Sequence, residues 1–449
     1  MPLRRRALWA LVVLACMALL LAPAAWNGFP LLQYDTGGYL APWYDHHLHI
    51  NRSVPYGLLL VAGQWPDFWP VPIVQSALTL WLLALTLRAH GLGGRPLPLL
   101  GLTAALCLLT TLPWLTGILL TDIFAGLAVL ALYLLLLRAE ALTRAERLGL
   151  FALLAGSAAT HSGTLAMLIL LVAAAGAVWL IDRRRIPLAR LGSAMLALAL
   201  GAAMVLAADV LVTGRLAWTP GGPALSFGRM LQDGIVTRYL DDRCPDETFK
   251  LCPYRGELTR NADDFFWGGG AFDRRGRFDG LDNEMRRIAL ASLIDYPGLQ
   301  FKSMVSESAK QLSMVDTGAG VVNWIWNTYL MIERDVPAAV PAMRAARQQR
   351  SGLTFAAINR VQVPVAWLGM ALLPLLAAYA LRRKGFADIG ELNAAAALAV
   401  LANAAVFGVF ATAHNRYGAR LVWLATLAVL LTLARMMTQR APRLAAGKP

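Results

Sequence analysis

Apolar runs of membrane-crossing length recur along this chain, and they restrict it more than any other feature. Roughly 20 residues of α-helix, rising 1.5 Å each, match the hydrocarbon thickness of a bilayer. Inside lipid only helices and closed barrels satisfy their own backbone hydrogen bonds. Ten candidate spans lie at 7–25, 70–87, 97–112, 118–137, 148–160, 163–180, 191–213, 361–381, 392–411 and 418–436, the two within 148–180 being short. With 58% hydrophobic and 15% charged residues, the pattern predicts an all-α polytopic membrane protein of about ten transmembrane helices. The first run follows Arg4, Arg5 and Arg6 and reads as a retained anchor, although its Ala-Pro-Ala-Ala end has the small residues of a cleavage site.

Positive charge is distributed unevenly between the turns. Of the 41 Lys and Arg, 19 fall in the N-terminus, the turns 88–96, 138–147, 181–190 and 382–391, and the tail after 434. Another 19 lie in the long segment 214–360, and the remaining three are Arg52, Arg416 and Arg420. By the positive-inside rule both termini are cytoplasmic and 214–360 is extracytoplasmic. The net charge of +14 is then topological, and no nucleic-acid partner is implied.

This divides the chain into a transmembrane module 1–213 with a first outer loop 26–69, an insert 214–360, and a second transmembrane module 361–449. The insert is too long to be structureless. EMRRIALASLIDYPGLQFKSMVSESAKQLSMV has apolar residues at helical spacing, interrupted at Pro297, and VPAAVPAMRAARQQRSG predicts a further helix after Pro341. A mostly helical cap over the outer mouth is expected, with Gly268, Gly269 and Gly270 as a turn. Cys16 and Cys107 sit in apolar runs, whereas Cys244 and Cys252 flank a short polar stretch on the oxidising side and are expected to form a disulfide. No internal repeat is visible.

Five carboxylates lie outside both the cytoplasmic turns and the insert: Asp35, Asp45, Asp67, Asp122 and Asp209. Asp35, in LLQYDTGGYLAPWYD just past the first run, is placed to act as a base on the outer face. Asp122 falls within a predicted span, where a carboxylate costs about 2.5–3.5 kcal/mol, so it must be paired, hydrated or functional. Asp209 lies near an outer span end. Residues 148–180 leave and return to the same side, with a break at Thr160, His161, Ser162 and Gly163; His161 is either the floor of an outward pocket or part of a plain turn. In HNRYGARLVW, Arg416 and Arg420 share a helix face and suit a phosphate clamp, with Tyr417 and Trp423 at headgroup level; interfacial anchoring is the plainer alternative. His46, His47 and His49 with Asp45 could chelate a metal, against the simpler reading of a solvated loop, and the Asn51-Arg52-Ser53 sequon has meaning only in a host that glycosylates such sites.

Taken together, Asp35 in YDTGGYL, Asp122 in LTDIF, the helix break at His161 and the Arg416-Tyr417 pair resemble the GT-C superfamily of multispanning glycosyltransferases. More narrowly, TLPWLTGILLTDIF, Cys244-Pro245-Asp246 and Arg347-Gln348-Gln349 resemble an uncharacterised bacterial family of such proteins. The resemblance implies a bacterial inner-membrane enzyme that moves a sugar from a polyprenyl-phosphate donor to an acceptor outside the cytoplasm, with inversion. Asp35 would be the general base and Asp122 would assist the acceptor or a divalent metal, the one cofactor left open. Arg416, Tyr417, Arg420 and His161 would hold the lipid phosphate. Where relatives often carry a lysine at the helix break, this chain has His161, and the prolines that commonly follow the Arg-Tyr element are missing.

Two other classes stay open. A transporter or flippase for a lipid-linked substrate would also use outward carboxylates and arginines but more often shows paired repeats, and a non-catalytic envelope assembly protein would account for the insert but not for Asp35 with Asp122. Soluble-enzyme motifs such as a phosphate-binding glycine loop, Gly-x-Ser-x-Gly or His-Glu-x-x-His are absent. The insert is expected to shape the acceptor site, but none of its residues is assigned a role; Asp263, Asp264, Arg274 and Arg275 are the ones to watch.

Overall fold

A computed structural model describes residues 3–445, apart from 219 and 246–248. Among these the chain is helical, and the one β-type pairing is an isolated parallel bridge between Leu31 and Ile118. The long apolar helices are α1 (Leu3–Asn27), α2 (Pro70–Ala89), α3 (Leu97–Leu109), α4 (Asp122–Leu137), α5 (Arg144–Thr160), α6 (Ser162–Ile181), α7 (Leu188–Thr213), α8 (Ala356–Leu381), α9 (Ala387–Phe410) and α10 (Asn415–Ala445). Seven, α1, α2, α6, α7, α8, α9 and α10, are long and apolar enough to cross a bilayer, so the chain is an all-α, multi-pass membrane protein.

The other three expected spans are shorter, at 13, 16 and 17 residues for α3, α4 and α5. For α3 and α4 the reason is local. Thr110 takes an extended conformation while its hydroxyl donates back to Leu106 O (2.6 Å), ending α3. Pro113 then sits in the first turn of a short helix, Leu112–Gly117, and Ile118 leaves it extended to meet Leu31. Asp122 therefore opens α4 instead of lying inside a span, and at a helix N-terminus the backbone dipole favours its charge. The break between α5 and α6 falls at His161 as the sequence suggests, yet α6 is a full 20 residues.

One end of the bundle gathers the basic turns. Arg5 donates to Gly94 O, Arg88 pairs with Glu146 (2.5 Å), Arg185 reaches Glu391 (3.4 Å), Arg138 also binds Glu391, and Arg435 donates to His90 O (3.3 Å). These segments share one side, as the charge pattern requires of turns on a common membrane face.

Residues 214–360 pack in two parts. Helices Gly222–Gln232, Ile235–Arg243, Ala262–Trp267 and Arg277–Asp295 enclose their own core around Phe227, Phe265, Phe266 and Phe272. Cys244 and Cys252 are joined in a disulfide at its edge, with Cα atoms 5.8 Å apart, and Asp246 lies outside the described residues. The helix pair Arg277–Asp295 and Pro297–Ser313 breaks at Pro297 as expected. Beyond it, Val321, Ile325, Tyr329, Ile332 and Met343 belong to the main core of the membrane bundle. The single helix expected after Pro341 is instead two short pieces, Val340–Ala345 and Arg347–Arg350, because Ala346 is extended and turns Gln348 inward.

Candidate active site

The site forms where the loop after α1, the start of α4 and the start of α10 meet. Backbone bonds fix the first two against each other: Leu31 N donates to Gly117 O (2.9 Å) and Leu119 N to Leu31 O (3.0 Å). The Thr36 hydroxyl adds a bond to Leu119 O (3.1 Å), and the Gln75 carboxamide donates to Thr116 O and Ile118 O (3.0 and 2.9 Å). From the far end of the long segment, fully buried Gln348 accepts from Leu32 N (3.0 Å) and donates to Leu32 O (2.8 Å), so it acts as a third strand of side-chain bonds.

At this junction Arg416 bridges the two acids singled out in the sequence. Its Nε donates to Asp122 Oδ2 (2.6 Å) and its Nη1 to Asp35 Oδ2, while Arg52 donates to Asp35 Oδ1. Burial works against a charge on Asp35, but the Arg52 and Arg416 guanidinium groups outweigh it and hold the carboxyl below the usual carboxylate range. Asp35 is therefore an ion-paired carboxylate, a weaker base than an exposed one. Two atoms of the junction find no hydrogen-bond partner among the described residues although they are buried: Asp122 Oδ1 and Arg416 Nη2. A missing partner at a buried charge is costly, so such atoms mark a ligand site or hydration.

A cavity opens beside them, lined by Asp122 and Arg416, by Asp316, Thr317 and Val321 of the long segment, and by apolar Leu31, Trp114, Ile118 and Phe355. Trp114 and Phe355 meet edge to face with centroids 4.8 Å apart. Asp35 does not line this cavity. Glycine lets the long segment come close: a Cβ on Gly418 would lie 2.0 Å from Met314 O, next to Arg416 and Tyr417.

The remaining predicted residues divide. His161 caps α6, its Nδ1 accepting from Gly163 N (3.0 Å), so that nitrogen is engaged as a neutral acceptor. Its ring lies 6.2 Å from Phe407, which stacks on Tyr417 at 3.7 Å. Arg420 does not join Arg416 in a clamp: it is fully buried, donates twice to Asn403 Oδ1 (3.0 and 2.7 Å) and covers Phe407. Trp423 is not at headgroup level either. It is fully buried against Gly126, where an added Cβ would come within 2.6 Å of the indole.

Sequence reasoning gave no site role to Arg52, or to Gln348, which it noted only within Arg347-Gln348-Gln349. Arg52 did carry a signal, as one of only three basic residues outside the turns and the insert. Asp209 is fully buried in α7 with both carboxylate oxygens unpartnered among the described residues, and it does not line the cavity. Asp263 and Asp264 start an exposed helix capped by Asn261, Arg274 pairs with Glu257 (2.5 Å), and both Arg274 and Arg275 cover Tyr254. These insert residues do not reach the cavity.

The metal reading of His46, His47 and His49 does not survive. His49 binds Asp45 (2.8 Å), and among the described residues no three His, Cys, Asp or Glu side chains gather in metal-binding fashion. Asp35 and Asp122, the donors a divalent ion would need, both face Arg416 instead, so the residues do not fit a metal and no step is routed through one. No family model, curated protein or solved structure matches this chain.

Proposed function

We propose that this chain is a membrane glycosyltransferase, of the GT-C kind its motifs resemble, that moves a sugar from a polyprenyl-phosphate carrier to an acceptor on the extracytoplasmic face. The reading rests on one observation: two carboxylates 87 positions apart in sequence share Arg416 beside a cavity lined by both charged and apolar side chains. An anionic phosphate entering there competes with Asp35 for Arg416, whose Nη2 is unpartnered and whose Nε stays on Asp122. Moving the guanidinium onto phosphate releases Asp35, which is ionised and able to accept a proton.

In the proposed step the acceptor heteroatom gives its proton to Asp35 and forms a bond to the anomeric carbon. The bond from that carbon to the phosphate oxygen breaks on the opposite face, giving inversion, and the electron pair leaves with polyprenyl phosphate, held by Arg416. Asp122 fixes Arg416 and offers Oδ1 to an acceptor hydroxyl or amine. The membrane is the bacterial inner membrane, with both termini cytoplasmic and the cavity facing out.

The test is mass spectrometry of lipids and surface glycans in a deletion strain complemented with wild type or with Asp35→Asn at equal protein level. A sugar missing from both the deletion and the Asp35→Asn strain is the expected result. A normal profile with Asp35→Asn, beside a loss in the deletion, overturns base catalysis and favours transport of a lipid-linked substrate.

A further inference from the structure

Beyond the membrane helices, one turn of the long segment carries an apolar surface that water would not favour. Along 321–326, Val321 and Ile325 are buried in the main core, whereas Trp324 and Trp326 are 74% and 70% exposed. The turn is well defined, since Trp326 N donates to Trp324 O (2.9 Å) and the Trp324 ring stacks on Tyr329. Two largely exposed indoles two positions apart on one ordered segment leave apolar area that the chain does not cover.

What covers them follows from where the turn is attached. Gln348 donates to Val322 O (2.9 Å) through its side chain, and its backbone N donates to Asn27 Oδ1 (2.8 Å), the last residue of α1. The turn is thus hung within the length of one glutamine from the point where a membrane-crossing helix ends. At that same helix end Trp26 is 52% exposed, with the Arg347 guanidinium 5.3 Å from its ring and donating to Trp26 O (2.9 Å). Tryptophan and arginine at the end of a span are the side chains that settle at headgroup level, where an indole has an apolar body in lipid and its N–H near water.

We infer that residues 322–326 form a membrane-dipping turn, with Trp324 and Trp326 seated in the headgroup layer beside Trp26. The long segment then does not simply cover the bundle from the water side; part of it lies on the lipid surface. Because Val321, next to this turn, lines the cavity with Asp122 and Arg416, the turn is also the lip between that cavity and the bilayer. The inference depends on the membrane architecture alone and stands whether or not the chain transfers sugars.

The experiment uses the full-length protein in liposomes of phosphatidylcholine brominated either near the headgroup or near the acyl end, with acrylamide as the aqueous quencher. Subtracting the tryptophan emission of the Trp324→Phe/Trp326→Phe variant from that of wild type isolates the two indoles from the other 12 of the 14. Trp326→Phe alone gives a second difference that leaves the Trp324 turn intact. The expected result is that the difference emission loses more than half its intensity to lipid brominated near the headgroup, and much less to either other quencher. Quenching by acrylamide with no effect of bromolipid overturns the inference in favour of a water-exposed turn. Shielding from all three quenchers overturns it in favour of a protein partner, a second copy of the chain included.

Discussion

At its C-terminal end α4 delivers Tyr133, with Arg138 just beyond, into a closed network. The Tyr133 hydroxyl donates to Asp388 O (3.0 Å) and meets His90 Nε2 (3.2 Å), His90 Nδ1 meets Asp388 (3.1 Å), and Arg138 binds both Tyr133 (3.1 Å) and Glu391. None of these five side chains leaves a buried polar atom unpartnered. At the N-terminal end of the same helix, Asp122 shares Arg416 with Asp35, yet Asp122 Oδ1, Arg416 Nη2 and nearby Arg420 Nη1 are unpartnered among the described residues. Both ends bury charge, and Arg435 Nε beside His90 is also unpartnered among the described residues, but at the N-terminal end the unpartnered atoms of Asp122 and Arg416 belong to the shared ion pairs themselves and lie on the cavity. A satisfied buried network fixes geometry, whereas an incomplete one has chemistry to offer.

The strongest way to break this contrast is Arg416→Met. It leaves Asp35 and Asp122 buried with one guanidinium between them in place of two, and removing one partner of a buried pair costs about 3–5 kcal/mol. A large drop in the thermal midpoint in detergent is expected. Restoring most of it with Asp122→Asn in the same chain would show that the loss comes from the uncompensated carboxylate. A midpoint equal to wild type would mean the ion pairs are not formed.

Asp35→Asn should separate chemistry from stability. If Asp35 is the base, sugar transfer falls about 100- to 10,000-fold, with a smaller stability loss than Arg416→Met because Arg416 keeps Asp122. The sign of the pH effect is also defined. A carboxyl held below its usual 3.8 stays ionised as pH falls from neutral to about 5, so Asp35 should contribute no acidic decline of rate in that range. A base titrating near neutral pH in the rate profile would point to another group.

At the other end of α4, Glu391→Gln removes the partner of Arg138 and Arg185. These side chains are partly exposed, at 16% for Glu391 and 19% for Arg138, so the expected cost is smaller, about 1–2 kcal/mol, with transfer unchanged. An activity loss comparable to that of Asp35→Asn would erase the distinction between the two ends.

The smallest effect concerns Glu146, which both closes the capping box of α5 with Thr143 and pairs with Arg88. The Arg88 hydrogen bonds lower its carboxyl from 4.5 to about 2. Its stabilisation is fully present above about pH 4.5, where the unfolded chain is ionised too, and is lost as pH falls through about 2. Arg88 is largely exposed, so the contribution is below about 1 kcal/mol. The midpoint difference between wild type and Glu146→Gln should be constant from neutral pH down to about 5 and shrink below that.

Much of the framework was legible locally. Hydropathy located the seven membrane-length helices, Pro297 marked a real helix break, His161 marked the α5–α6 junction, and the clustering of arginines in alternate turns foretold that those turns share one end of the bundle. Asp35, Asp122 and Arg416 stood out because ionisable groups are expensive beside or within apolar runs. Hydropathy misplaced two span ends: it ran one span to 112 and began the next at 118, but Thr110, Pro113 and the bridge at Ile118 end α3 at Leu109 and delay α4 to Asp122. It also misplaced Trp423 and Arg420, since a sequence cannot say which face of a helix meets protein and which meets lipid.

The sequence by itself determined the all-α membrane architecture and the identity of its few out-of-place charges, because length, polarity and helix-breaking chemistry act residue by residue. Only the tertiary structure decided which charges meet. Asp35 and Arg416 are 381 positions apart, Asp122 and Arg416 are 294, and Leu32 and Gln348 are 316. Such pairings depend on how whole helices pack, and the burial that this packing creates is what turns three scattered ions into one shared site.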